Sequence, residues 1–184
     1  IFPILRGKNW WLVGGIVYAG LSGISLAAIR GDDFPGLVSM LFIFAVVWGT
    51  DILAYFVGRA IGGPKLAPSI SPGKTWSGAI GGTVSAVIAG GIVAFAYKGE
   101  LSFSVILLAV VLSAFSQIGD LFESFIKRRF GVKDSSHLIP GHGGVMDRVD
   151  GLVFACFTVF VIAVVHAAYT GYAPGSTGGL LLGF

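Results

Sequence analysis

Charge is what this chain has least of. Only 11% of its 184 residues are Asp, Glu, Lys or Arg, while 55% are hydrophobic; a soluble domain carries about 25% charged residues. Cysteine is almost missing as well. The single Cys156 excludes an intrachain disulfide and leaves the redox compartment undetermined. In an apolar run it reads as a small packing residue. The chain also lacks an initial Met, so an N-terminal piece is expected to precede it.

The few charges are clustered, and that pattern decides the fold class. Uncharged runs occupy residues 10–29, 34–50, 75–97, 101–119 and 151–184. A bilayer core of roughly 30 Å needs about 20 helical residues at about 1.5 Å each. Four runs suffice alone, and the second suffices if its helix continues past Asp51 to about Ala60. The expected architecture is an all-α, polytopic integral membrane protein with about five transmembrane helices and long cytosolic loops. The spans should lie near 10–29, 35–60, 76–97, 102–124 and 145–169, in one membrane-embedded catalytic domain covering 1–184, from which N-terminal spans are expected to be missing. The first run is too long, and too closely followed by others, for a cleaved signal peptide.

Orientation follows from the basic residues. With the N-terminus in the cytosol, Arg6, Lys8, Arg59, Lys65, Lys74, Lys127, Arg128, Arg129, Lys133 and Arg148 face inward, and only Arg30 and Lys98 face outward. That asymmetry fixes the topology by the positive-inside rule. The outward connections are short. The cytosolic ones, about 61–74 and 125–144, are rich in Gly, Pro and Ser, which predicts irregular backbone with free N–H groups for phosphate oxygens. The pairs Gly58/Gly62 and Gly78/Gly82 should let helices pack closely. The apolar, Gly-rich C-terminal tail has no assignable role.

Six of the nine acidic residues fall in the cytosolic half. An ionised side chain near the bilayer centre costs about 2.5–3.5 kcal/mol, so Asp51 needs a reason. It lies on one helix face with Tyr55 and Arg59, as either a structural Asp–Arg link or the wall of a polar cavity. Asp120 and Glu123 are three apart near the end of the fourth span, and Asp147 and Asp150 are three apart at the start of the fifth. Each pair shares a helix face. Taken alone, Glu123 could simply pair with Lys127, and Asp147 could complement a helix dipole. Taken together, with a basic loop between them, they predict a site for a hard cation such as Mg²⁺. Lys127-Arg128-Arg129 suits an anchor for anionic headgroups. Lys133-Asp134 and Asp147-Arg148 add mixed charge, Lys74 follows a Pro-Gly turn, and His142 sits between glycines that admit close backbone approach. Cations, free amides and carboxylates together describe a polyphosphate site.

The segment 124–150, SFIKRRFGVKDSSHLIPGHGGVMDRVD, resembles the signature of phosphatidate cytidylyltransferases (CDP-diacylglycerol synthases) at Ser124, Lys127, Arg128, Lys133, Asp134, His142, Gly143, Gly144, Asp147, Arg148 and Asp150. Residues 51–82 are similar to that family's other block, through Asp51, Tyr55, Gly58, Arg59, Lys65-Leu66-Ala67-Pro68 and Ser71-Pro72 with Lys74-Thr75. Many members carry Glu where this chain has Ser77, and Ser77 is assigned no role. The resemblance implies an inner-membrane nucleotidyltransferase of phospholipid biosynthesis that condenses CTP with phosphatidic acid and releases pyrophosphate. It further implies Asp120, Asp147 and Asp150 as metal ligands, and Lys74, Lys127, Arg128, Lys133 and Arg148 as phosphate binders. The expected catalytic set is Lys133, Asp147, Arg148 and Asp150, with Ser71, Lys74, Lys127, Arg128, His142, Gly143 and Gly144 binding substrate. Mg²⁺ is the expected cofactor, with a second, monovalent cation as an option. The bilayer is a partner and a homodimer remains open, whereas no nucleic acid is expected. Two other readings compete: a CTP-dependent lipid kinase, and a cation transporter or channel whose carboxylates line a path.

Overall fold

A computed structural model describes residues 10–136, 144–171 and 177. Five long helices account for most of them: α1 (Trp10–Arg30), α2 (Phe34–Ile61), α3 (Trp76–Lys98), α4 (Phe103–Arg129) and α5 (Met146–Thr170). All five are long and apolar enough to cross a membrane. The chain is thus an all-α, multi-pass membrane protein. α4 runs to Arg129, five residues past the expected 124, because Lys127, Arg128 and Arg129 can face the open C-terminal carbonyls of the helix.

Local chemistry sets most of the boundaries. Asp33 caps α2 by accepting from the Gly36 N–H at 2.7 Å, with Pro35 in the first turn. Thr75 caps α3 by accepting from Gly78, and Ser102 caps α4 by accepting from Val105. α2 leaves through Gly62 and Gly63, at φ +67° and +101°, a conformation that side chains with Cβ rarely adopt. Gly62 therefore serves the turn and not close packing, because nothing lies within 4 Å of a Cβ built there.

The connection after α2 is more regular than its Gly and Pro content predicts. Strands β1 (Lys65–Ala67) and β2 (Ser71–Thr75) pair antiparallel, with Lys65 opposite Thr75 and Ala67 opposite Ser71. The Trp76 N–H closes the hairpin base on the Pro64 carbonyl at 3.0 Å.

α2 and α3 make the tightest contact. A Cβ on Gly78 would stand 2.6 Å from the Ala54 carbonyl, and one on Gly82 would stand 2.7 Å from that of Thr50. Small residues here bring the two backbones together. The shared core holds Phe42, Ile43, Val46, Leu112, Cys156 and Val159, all fully buried. Inside it, Thr50 donates to Ser113 Oγ at 2.9 Å, and Ser113 donates to Thr83 Oγ1 at 3.2 Å, linking α2, α4 and α3. The outer faces, with Trp48, Ile80, Ile92 and Val164 exposed, are apolar as a lipid-facing surface must be. Trp11 meets Phe130 edge-on at 5.3 Å, and Arg128 Nε donates to the Ile70 carbonyl at 3.4 Å. Both long connections thus lie at one end of the bundle, beside the start of α1.

Candidate active site

At that end, α2, the hairpin, α3 and α4 enclose a cavity of about 700 Å³. α2 contributes Asp51, Tyr55 and Arg59 at intervals of four residues, so one helix face forms a wall. Arg59 Nη1 donates to Tyr55 Oη at 2.9 Å, and Asp51 lies within electrostatic reach of Lys74 instead. The row is a cavity wall. The hairpin contributes Lys65, Ser71 and Lys74, and α4 contributes Gln117 and Asp120. Lys74 Nζ stands 2.5 Å from Asp120 Oδ2, each side chain about one-third exposed or less. Ser124 Oγ reaches Asp120 Oδ1 at 3.5 Å.

The hairpin is held in place by a residue to which the sequence assigned no role. Ser77 Oγ donates to the Gly62 carbonyl and lies 3.0 Å from Thr75 Oγ1. One hydroxyl ties the end of α2 to the start of α3, and with them the strand that carries Lys74.

Asp147 belongs to a second cluster. It accepts from Lys127 Nζ at 2.7 Å, from the Ser135 N–H and Oγ, both at 2.9 Å, and from the Gly144 N–H at 2.7 Å. A carboxylate offers about four acceptor positions, and these donors fill them. Glu123 Oε2 lies 3.5 Å from the same Lys127 nitrogen, with the Asp150 carboxyl beside Glu123. Asp150 also lies within electrostatic reach of Asp120 and Asp51. Gly144 packs so closely on Ser135 and Ser136 that a Cβ there would collide with both.

The expected metal set, Asp120, Asp147 and Asp150, is therefore divided. Asp120 lines the cavity, and Asp150, beside Glu123, lies only within electrostatic reach of it, whereas Asp147 bonds Ser135 and Gly144. Among the described residues, no three His, Cys, Asp or Glu side chains converge in a group that could hold a metal ion. Mg²⁺ commonly takes only one or two protein carboxylates and completes its shell with water and phosphates, and Asp120 and Asp150 fit that more modest requirement.

The remaining expected site residues fall as follows. Ser71 and Lys74 line the cavity. Lys127 and Gly144 are engaged with Asp147. Arg128 is exposed and bonded to the hairpin turn, and Lys133 and Arg148 are exposed. His142 and Gly143 lie outside the described residues. Arg59, Lys65 and Gln117 line the cavity without having been placed in the expected site. A Gln one turn before Asp120 in an otherwise apolar stretch was the available signal for the last.

Comparison with known proteins agrees with the signature. The sequence model of the "Cytidylyltransferase family" matches residues 7–166. A phosphatidate cytidylyltransferase of Brucella abortus (strain 2308) is 55% identical over 162 residues, which cover 88% of this chain and 60% of the relative. One from Haemophilus influenzae is 45% identical over 154 residues, covering 78% and 54%. One from Bacillus subtilis is 40% identical over 150 residues, covering 80% and 56%. This chain thus spans little more than half the length of these relatives. With the match running through all five helices and both connections of the cavity end, the chain belongs to the cytidylyltransferase family.

Proposed function

We propose that this chain carries the catalytic site of a phosphatidate cytidylyltransferase, which joins CTP and phosphatidate to give CDP-diacylglycerol and pyrophosphate. The observation that carries the reading is the cavity itself. It is lined by Arg59, Lys65 and the Lys74–Asp120 pair, and it lies at the end of a lipid-embedded helix bundle. One substrate has its acyl chains in the leaflet and the other is a soluble nucleotide, so the chemistry belongs at that level. The basic excess at this end supports a position on the cytosolic side of an inner membrane.

A phosphate oxygen of phosphatidate attacks the α-phosphorus of CTP, a new P–O bond forms, and the bond to the β,γ-pyrophosphate breaks. The nucleophile is already ionised, so no general base is required. Positioning and charge neutralisation lower the barrier. Arg59, Lys65 and the glycine amides of the hairpin would hold the polyphosphate, and Lys74, fixed by Asp120, would meet charge at the reacting phosphorus. Asp120 and Asp150 would hold Mg²⁺, which supplies further neutralisation of phosphate charge when bound. Asp147 would act by fixing Lys127 and the loop.

The test is to incubate purified protein in lipid nanodiscs with labelled CTP, phosphatidate and Mg²⁺ and to identify the products. CDP-diacylglycerol with pyrophosphate is expected. CDP with a newly phosphorylated lipid would replace this reading with a kinase, and cation flux in liposomes without nucleotide turnover would replace it with a channel.

A further inference from the structure

The cavity has two chemically distinct ends. Arg59 lies two turns beyond Asp51 on α2, about 12 Å nearer the end of the bundle by helical rise. The rim therefore carries Arg59 and Lys65 with the left-handed Gly62–Gly63 backbone, whereas the floor carries Asp51, Asp120 and Gln117. The two outer phosphates are drawn to the first, which leaves the second, beyond the α-phosphorus at Lys74, for the nucleoside half of a nucleotide.

Gln117 is held in a fixed orientation at that floor. Its Nε2 lies 3.3 Å from the Ala79 carbonyl, from Thr83 Oγ1 and from Ser113 Oγ. The Ala79 oxygen can only accept, so the amide nitrogen must face α3 and cannot exchange places with the oxygen. Thr83 and Ser113 are themselves tied to Thr50, so three helices hold the amide. Among the described residues nothing donates to Gln117 Oε1, and Gln117 lines the cavity, so this oxygen is the acceptor its side chain has left to offer. Lys74 already meets Asp120, so Gln117 Oε1 is the acceptor that the floor keeps for a neutral donor.

We infer that Gln117 is a specificity-determining residue whose side-chain oxygen accepts a hydrogen bond from the nucleoside half of the nucleotide, while the triphosphate lies toward Arg59 and Lys65. The donor is the exocyclic amine of cytosine or the ribose 2′-hydroxyl; both have the chemistry Oε1 requires. UTP presents an acceptor where CTP presents the amine, and dCTP lacks the hydroxyl. This assignment rests on the proposed use of CTP but is read by a separate measurement.

Equilibrium binding of CTP, UTP and dCTP to the protein in nanodiscs tests it without turnover. The wild type should bind CTP at least about tenfold more tightly than one of the other two, the scale of a single well-made hydrogen bond lost at a shielded site. Gln117→Met, similar in length and apolar, should erase that preference by weakening CTP. Unchanged discrimination in Gln117→Met overturns the inference. So does a wild type that binds all three nucleotides equally, which needs no variant to fold. A protein that binds CTP selectively through Gln117 yet makes no CDP-diacylglycerol would defeat the proposed reaction and leave this inference standing.

Discussion

Two Lys–Asp pairs lie at the same end of the bundle and serve opposite purposes. Lys74–Asp120 stands in a cavity with about a third of the Asp120 side chain exposed, and among the described residues its carboxylate has, beyond the lysine, only the long contact to Ser124. Lys127–Asp147 is half-buried between α4 and the start of α5, with 10% of the Asp147 side chain exposed and its acceptor positions filled by lysine, serine and backbone donors. A carboxylate with open lone pairs can meet a metal ion or a phosphate-bound cation; a saturated one can only hold its neighbours. Residue type and motif membership do not separate these roles. The number of donors already present does.

Substitution of the two aspartates should separate them most sharply. Asp120→Asn removes the open carboxylate and leaves Lys74 without its partner. CDP-diacylglycerol formation should fall about 100-fold or more, the scale of losing one preorganised electrostatic contact, with the melting temperature nearly unchanged. Asp147→Asn should do the reverse. The amide cannot accept from all of its donors and leaves Lys127 beside Glu123 alone, so stability should drop by about 2–4 kcal/mol, near the lower end for breaking a buried pair. The Mg²⁺ concentration for half-maximal activity should stay as in the wild type. A tenfold rise in that concentration with unchanged stability would reverse the comparison and return Asp147 to the metal.

The helices were legible because a lipid-facing segment must be apolar throughout, so each uncharged run announced its span. The helix starts needed no tertiary information: Asp33, Thr75 and Ser102 are ordinary N-cap residues just ahead of apolar runs. The hairpin was not, since the same glycines and prolines that suggest irregular backbone also serve its turns. The carboxylate cluster was half legible. Spacing of three predicted that Asp120 with Glu123, and Asp147 with Asp150, share a helix face, but residues three apart still diverge by about 60°. On α4, which packs against both α3 and α5, that angle sends Asp120 toward Lys74 and Glu123 toward Asp150 and Lys127. On α5 it sends Asp147 into the loop. The decisive partner, Ser135, comes from chain closure, and no local pattern encodes that.

A gentler pair of substitutions refines the contrast. Ser77→Ala and Ser135→Ala each delete one hydroxyl and should each cost about 1 kcal/mol, a shift of about 2–4 °C in melting temperature for a chain of this size. They should differ in function. Ser77 Oγ fixes the base of the strand that carries Lys74, so its loss should loosen the cavity wall and raise the KM for CTP a few-fold. Ser135 retains its backbone N–H on Asp147, whose acceptor positions are already filled, so KM should stay unchanged. Equal effects of the two substitutions on KM would mean that the closed cluster also shapes the nucleotide site, and that its carboxylate acts on the substrate at one remove.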